Sequence, residues 1–189
     1  MEAPAEIWTV GHSRHTTEEF IAILKSQQIE AVADVRRFAV SRRHPHFNEM
    51  EMFKSLSKEE IEYVSFAELG GRRRALANSR NSLWRNESFR GYADFMLTPD
   101  FERGMERLLE LAAQKRTAIM CAELLWWRCH RALIADYLKS KGIKVTHILG
   151  AGKIEEHPYT SAARLAGGKL TYEPAVSLEL PGIVASKAA

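Results

Sequence analysis

The sequence predicts an α/β protein, a three-layer sandwich with a mainly parallel sheet of about five strands, Rossmann-like or flavodoxin-like. Short apolar runs alternate with segments of helical periodicity over the first 150 residues, and such alternation is typical of parallel sheets. Most of the runs are continuously apolar, which indicates strands covered on both faces. The predicted strands are 7–10, 31–35, 63–67, 118–121 and 144–149.

Four helices are predicted beside these strands. The first begins with Thr16 or Thr17 as its N-cap, and Glu19 follows at the position of a capping box. The last ends at Gly142, a residue type that often terminates helices. The predicted helices are 16–27, 49–59, 100–114 and 130–142.

A single domain is predicted for residues 1–189, because this length suits one continuous core. Its core covers about residues 6–150, and a C-terminal extension follows over 151–189. Within the extension we expect a short helix at 157–165 and an edge strand at 170–176, with fraying in the last residues.

Two long connections, 36–48 and 68–90, are rich in arginine, and loops of this length usually have a function. The aromatic residues of the second connection predict an ordered flap. Residues 36–90 contain ten arginines, two lysines and seven acidic residues, although the net charge of the whole chain is only +3. Arginine suits phosphate and carboxylate recognition, so an anionic partner, a nucleotide or nucleic acid, is predicted. A solvated basic surface is the alternative.

Composition limits the cellular compartments in which the protein is expected. No apolar run approaches the roughly 18–20 residues of a membrane span, so no membrane partner is predicted. The first residues lack the pattern of a secretory signal, and two cysteines are too few for a disulfide scaffold. We therefore expect a cytoplasmic protein. The sequence predicts no oligomeric state.

Polar residues follow several predicted strands, at the edge where open parallel sheets bind ligands. Four of them are catalytic candidates: His12, Asp34, Cys121 and Glu123. Glu123 lies in the apolar stretch CAELLWW, which predicts a poorly solvated carboxylate suited to acid–base chemistry. Three of the four have a structural alternative: a loop cap for His12, an ion pair with Arg36 for Asp34, and core packing for Cys121.

A larger set is predicted to bind the ligand or its phosphate. Glycines allow close approach of a ligand to the backbone, and the N-terminus of the fourth helix favours anions. Trp84 or Trp127 could stack a base. The predicted binding residues are Ser13, Arg36, Arg37, Arg42, Arg43, Gly70, Gly71, Arg72, Arg128, His130 and Arg131.

Several motifs carry a family resemblance between about residues 7 and 165: TVGHSRHTTEEF, DVRRF, ELGG, WRNESFRGYADFM, CAE and WRCHR. The chain resembles the bacterial and archaeal domain-of-unknown-function family 488. The resemblance implies an α/β sandwich but no established reaction. The motif positions that it implies here are Gly11, His12, Ser13, Asp34, Arg36, Gly70, Gly71, Cys121, Glu123, Cys129, His130 and Arg131.

The first functional hypothesis is an enzyme that cleaves a glycosidic or phosphoester bond in a nucleotide or nucleic acid. Glu123 and Asp34 would be its carboxylates and His12 its proton shuttle. No cofactor is firmly predicted, although phosphoester hydrolysis would call for a divalent metal, and two carboxylates alone are a meagre Mg²⁺ site.

Three alternatives remain open. The layout is similar to rhodanese-like sulfurtransferases and cysteine phosphatases with Cys121 as nucleophile, but six residues instead of five separate it from Arg128. A soft metal site could use Cys121, Cys129 and His130, with His12 as a further donor. Adjacent helical residues point about 100° apart, which makes joint ligation by Cys129 and His130 awkward. A nucleic-acid-binding module without enzymatic activity is the last alternative.

Overall fold

The computed structural model describes residues 4–175, and the strands within them form one large sheet and a separate hairpin. The large sheet has the order β3-β2-β4-β1-β5-β6, with five parallel strands and β6 antiparallel at the edge. The strands are β1 (Glu6–Gly11), β2 (Ala31–Asp34), β3 (Glu62–Ser65), β4 (Thr117–Cys121), β5 (Lys144–Gly150), β6 (Lys153–Glu156), and the hairpin pair β7 (Arg164–Ala166) and β8 (Lys169–Thr171).

Helices cover both faces of the sheet, because alternate strand residues point to opposite sides. On one face, Phe20 and Met52 pack in a cluster with Val32. On the other face, Tyr92 and Leu133 pack with strand residues whose side chains point to the opposite side of the sheet. This confirms the three-layer sandwich. The helices are α1 (Thr17–Ser26), α2 (Glu49–Ser57), α3 (Glu87–Phe95), α4 (Pro99–Gln114) and α5 (Arg131–Ser140).

The strand order determines which loops meet. β4 lies between β2 and β1, whereas the Rossmann order is 3-2-1-4-5-6 and the flavodoxin order 2-1-3-4-5. Consequently the carboxyl ends of β1, β4 and β2 are neighbours in the middle of the sheet. None of the helices within residues 4–175 has the length and apolar composition that a membrane crossing requires.

All five predicted strands and all four predicted helices form, with ends displaced by a few residues at most. Helix α3 was not predicted, because its start lies inside the arginine-rich connection. Its signal is Asn86, whose side chain accepts hydrogen bonds from the backbone N–H groups of Ser88 and Phe89. The helix buries Tyr92 and Phe95 in the core.

The connection that precedes α3 is an ordered flap, as predicted. The Asp94 carboxylate of α3 accepts hydrogen bonds from Leu76 N, Ser79 Oγ and Asn81 Nδ2 at 2.6–2.8 Å. Gly91 permits close contact, since a Cβ there would lie 2.5 Å from the carbonyl oxygen of Arg73. The flap is thereby fixed to α3.

The C-terminal extension differs from prediction. Residues 157–165 form a loop and the start of β7 rather than a helix, because Asp136 accepts hydrogen bonds from both the backbone N–H and the hydroxyl of Thr160. The predicted edge strand at 170–176 is short: Lys169–Thr171 pairs with β7 in the hairpin and does not join the large sheet. The last few residues, where fraying was expected, belong to 176–189, which lie outside the described part of the chain.

A chain of buried hydrogen bonds crosses one half of the fold. Arg131 donates to Thr9 Oγ1 at 3.1 Å, and the Thr9 hydroxyl donates to His147 Nδ1 at 2.7 Å. His147 Nε2 donates to His157 Nδ1 at 2.9 Å, and His157 Nε2 donates to Asp136 at 3.0 Å. All the donors can point in one direction when both imidazoles are neutral.

We expect stability to fall below neutral pH. Burial lowers the pKa of His147 to about 2 and that of His12 to about 3, so both stay neutral in the folded protein, whereas the unfolded chain protonates them below about pH 6.5. Because the unfolded state then binds more protons, each histidine lowers the free energy of unfolding by about 2 kcal/mol between pH 7 and pH 5.

Urea denaturation at the two pH values measures this fall. The variant His12→Gln keeps an acceptor for its neighbours but cannot titrate, so we expect it to remove roughly half of the histidine contribution. The control Ser57→Ala, at an exposed position, changes no titratable group and should leave the fall unchanged. A stability that is flat between pH 7 and pH 5 would contradict the prediction.

Candidate active site

Backbone hydrogen bonds of the sheet type continue past the ends of β1, β2 and β4. These bonds hold the loops that follow the three strands side by side. His12 N donates to Cys121 O, Ser13 N donates to Ala122 O, and Val35 N donates to Met120 O, each at 3.0 Å. The residues that follow these strands therefore meet at one edge, where parallel sheets bind ligands.

The loop that follows β4 lies directly against β1. Gly11 makes this possible, because a Cβ at its position would lie 2.1 Å from the carbonyl oxygen of Glu123. From below, the Arg131 guanidinium donates hydrogen bonds to the carbonyl oxygens of Glu123 and Leu124. Arg131 is 1% exposed, so its contacts hold the loop rather than face the solvent.

A cavity of about 630 Å³ opens above these loops. It brings together ten of the residues predicted from the sequence: Ser13, Arg36, Arg37, Gly71, Arg72, Cys121, Glu123, Arg128, Cys129 and His130. Its other lining residues were not predicted: Arg14, Phe38, Val40, Ser88, Phe89, Ala122 and Leu124. Arg14 directly follows the GHS motif, which could have signalled it, whereas Ser88 and Phe89 belong to the unpredicted helix α3.

Six predicted site residues are not among those that line the cavity: His12, Asp34, Arg42, Arg43, Gly70 and Arg131. His12 is buried, with its ring stacked on Phe47 at 4.0 Å between centroids. Burial, followed by the charge of Arg36, lowers the pKa of His12 to about 3. Gly70 instead packs against the backbone of Arg37, where a Cβ would lie 2.6 Å from the Cα atom.

Asp34 forms the ion pair with Arg36 that was predicted as its structural alternative. Its carboxylate pairs with Arg36, with NH2 to Oδ2 at 2.6 Å and both groups almost fully buried. Asp34 also accepts a hydrogen bond from the Tyr63 hydroxyl at 2.5 Å, and Arg36 donates to the Phe47 carbonyl at 2.8 Å. Most donors of the Arg36 guanidinium are therefore used within the protein.

Glu123 lies in the cavity lining with an exposed side chain. The poor solvation predicted for its carboxylate is wrong. The apolar residues of CAELLWW do not surround it, because the chain turns after Cys121 and buries Trp126 on the other side. The Trp126 ring stacks on His147 at 4.4 Å between centroids. Glu123 is left facing solvent.

Two thiols and an imidazole form a cluster on the cavity lining. One side-chain atom each of Cys121, Cys129 and His130 lies within 4.8 Å of the other two, and both cysteines are free. Cys129 Sγ lies 3.5 Å from His130 Nδ1, and His130 Nε2 donates to the Val35 carbonyl at 3.1 Å. The Val35 contact requires a proton on Nε2, and when the imidazole is neutral the Nδ1 lone pair faces the sulfur.

The two thiols differ in acidity. Burial opposes ionisation of Cys129, but a hydrogen bond from Cys121, followed by the positive charge of His130 in its protonated form, holds its pKa well below the usual value. The same hydrogen bond, together with burial, raises the pKa of Cys121 well above its usual value. Cys129 also lies just before the N-terminus of α5, a position that favours a thiolate. Cys129 is therefore the thiol that ionises first.

Arginines and aromatic rings form the rim of the cavity. Arg14, Arg37, Arg72 and Arg128 contribute positive charge, and Arg37 donates to the Arg72 carbonyl at 3.1 Å. Phe38, which is 65% exposed, adds a flat apolar surface. The tryptophans proposed for base stacking are not lining residues. Trp84 packs on Phe89 and Tyr172, and Trp127 is exposed elsewhere.

We expect iodoacetamide to modify Cys129 of the reduced, metal-free protein faster than Cys121 at pH 7, because the thiolate is the nucleophile. Peptide mass spectrometry over time gives the two rates. The chain has only two cysteines, so Cys129→Ala should remove the fast reaction entirely. Cys121→Ala removes a hydrogen-bond donor and should slow the reaction of Cys129. Faster modification of Cys121 would contradict the assignment.

The comparisons with known proteins add a family but no activity. A family model described as "Domain of unknown function DUF488" matches residues 16–138, which include the cavity residues from Arg36 to His130. No curated protein and no solved structure matches the chain. The matched segment is more than half of the 189 residues. The chain thus belongs to the DUF488 family, as its motifs indicated.

Proposed function

We propose that this protein is an enzyme that binds a nucleotide-sized, phosphate-containing ligand in the cavity and hydrolyses a phosphoester bond in it. One observation carries the proposal: an arginine rim and a solvated carboxylate lie above a thiol–imidazole cluster in a single cavity at the carboxyl edge of a parallel sheet. The volume of about 630 Å³ falls within the range of small-molecule sites. A duplex nucleic acid would not enter such a space.

The rim supports a ligand that combines negative charge with a flat apolar part. Arg37, Arg72 and Arg128 can supply donors to phosphate oxygens, because the planar guanidinium matches their geometry. The Phe38 and Phe89 rings offer surfaces for a nucleobase, and stacking of this kind tolerates every base. Arg42 and Arg43, outside the lining, are left without a direct role in this proposal.

Glu123 is the group that we assign to the chemical step. It is the one carboxylate among the described residues that line the cavity, and its solvated position suits a general base that accepts a proton from attacking water. Glycosidic cleavage usually requires two carboxylates that flank the bond. Asp34 is occupied by Arg36 and Tyr63, which favours the phosphoester over the glycosidic bond.

A second candidate function is nucleophilic catalysis by a thiolate. The lowered pKa of Cys129 and its place before α5 favour this cysteine, whereas the sequence pointed to Cys121. In this mechanism the sulfur attacks phosphorus as the bond to the leaving oxygen breaks, and water then releases phosphate. Cys121, with its raised pKa, would act only as a hydrogen-bond donor to the thiolate.

We expect nucleotides to stabilise the folded protein. A ligand at 100 times its dissociation constant adds about 2.7 kcal/mol, a shift in melting temperature of about 5–10 °C for a chain of this size. Differential scanning fluorimetry against nucleosides, nucleotides and short single-stranded oligonucleotides measures it. Arg72→Ala and Arg128→Ala should remove most of the shift. Arg103→Ala, on the exposed surface of α4, should retain it, and stabilisation by nucleosides without phosphate would contradict the proposal.

We expect Glu123→Gln to lower hydrolysis of the stabilising ligand by about 100-fold or more, because general-base catalysis contributes that much. Chromatography of the ligand and its products measures turnover. The ligand-induced shift in melting temperature should persist, since Gln retains the size of the side chain. If the wild-type protein binds nucleotides but hydrolyses none of them, the chain is a binding module rather than an enzyme.

A further inference from the structure

We propose that Cys121, Cys129 and His130 form a binding site for one soft transition-metal ion, of which Zn²⁺ fits best, with one coordination position open to the cavity. The inference goes beyond the proposed function, because it assigns a resident cofactor. It rests on the three side chains and their surroundings and does not depend on which ligand the arginine rim binds.

The distances suit a single ion. In a tetrahedral site, Zn–S bonds of about 2.3 Å and Zn–N bonds of about 2.0 Å place sulfur and nitrogen about 3.5 Å apart. Cys129 Sγ and His130 Nδ1 are 3.5 Å apart. Cys121 completes a triangle in which no ligand atom is more than 4.8 Å from another. A shift of the Cys121 sulfur by about 1 Å would bring all three atoms to the spacing of a tetrahedral site.

The backbone removes the objection that neighbouring residues point apart. That objection assumes a helix at both positions, but Cys129 is extended, with φ −130° and ψ 150°, and only His130 has helical angles, φ −58° and ψ −14°. The change of conformation between the two residues brings the sulfur and the ring nitrogen to the same side. Adjacent ligands are therefore possible here although they would be awkward within a helix.

The surroundings of His130 match those of a metal ligand. Ligating histidines almost always donate their second ring N–H to a carbonyl or carboxylate, which fixes the tautomer. The Nε2–H of His130 donates to the Val35 carbonyl, leaving the Nδ1 lone pair free for an ion. Gly71 keeps space beside this nitrogen, since a Cβ there would lie 2.9 Å from Nδ1.

The donor set indicates the class of metal and its use. Two thiolates and an imidazole select zinc-like ions over Mg²⁺ or Ca²⁺, which prefer oxygen ligands. Three protein ligands are typical of catalytic zinc sites, where water or substrate takes the fourth position, and structural zinc sites have four. Both cysteines and His130 line the cavity. The open position would therefore face the space that also holds Glu123.

Charge also favours a cation at this place. Binding of Zn²⁺ would displace the protons of both thiols, and the charge of the ion would balance the two thiolates so formed. The nearby Arg131 is held away by its hydrogen bonds to Thr9 and to the loop after β4. The Nε atom of Arg131 has no hydrogen-bond partner among the described residues. Arg131 therefore makes no hydrogen bond to either thiol through Nε, and the position of the ion stays open.

The experiment uses the full chain, purified in reducing buffer, stripped with a chelator and titrated with Zn²⁺ or Co²⁺ alone. We expect about one ion per chain by elemental analysis. With Co²⁺ we expect a thiolate-to-metal charge-transfer band and the visible bands of a tetrahedral ion. Zn²⁺ should also protect both thiols of the wild-type protein from iodoacetamide, a readout that requires no variant.

Matched variants identify the ligands. Cys129→Ser, Cys121→Ser and His130→Ala should weaken Zn²⁺ binding by more than about 100-fold, the upper range for changes outside the ligand shell. Glu123→Gln, in the same cavity but not a ligand, and His44→Gln should bind Zn²⁺ like the wild type. Circular dichroism shows which variants are folded, and the protection of the wild-type thiols stands even where a variant does not fold.

Reduced wild-type protein that takes up no Co²⁺ with a charge-transfer band, and whose thiols Zn²⁺ does not protect, would overturn the proposal. Equal loss of Zn²⁺ in Glu123→Gln and Cys129→Ser would overturn the ligand set. None of these readouts uses a substrate. The metal-site proposal can therefore fail while the hydrolase proposal stands, and the reverse is also possible.

Discussion

Arg131 carries a full charge at a position with 1% exposure. Hydrogen bonds from its terminal nitrogens compensate for much of the cost of burying this charge, although its Nε has no partner among the described residues. Its partners are the Thr9 hydroxyl in β1 and the carbonyls of Glu123 and Leu124. One side chain thus ties the central strand to the loop that bears the cavity carboxylate. Both cysteines flank this constraint in the sequence, since Cys121 precedes that loop and Cys129 lies two residues before Arg131.

The hydrogen bonds that begin at Arg131 extend as far as the C-terminal extension. From Thr9 the hydrogen bonds continue through His147 and His157 to Asp136, which also accepts from the Tyr172 hydroxyl at 3.0 Å. Each histidine has one donor and one acceptor, so protonation of either would oppose two donors within the chain. Hydrogen bonds in such a chain polarise one another, so the network links the loop below the cavity to the packing of a segment distant in sequence.

The sequence predicted correctly those features that depend only on the order and direction of the strands. Apolar runs predicted the strands, and parallel strands necessarily end at one edge, so most residues placed there do line the cavity. The sequence did not predict whether a side chain at the end of a strand points into the cavity or into the protein core. His12 and Asp34 follow strands as Cys121 does, yet they turn into the body toward Phe47 and Tyr63. Solvation of Glu123 and the meeting of Cys129 with His130 depend on backbone angles that no residue pattern reveals.

The family match covers residues 16–138 and so excludes β1 and β5. These two strands are neighbours within the large sheet. A fragment cut at the matched boundaries would retain nearly every cavity residue but lose the middle of the sheet, including Thr9 and His147. The segment that the family model matches is therefore smaller than the unit that folds. Domain boundaries for expression or transfer should follow the sheet rather than the motifs.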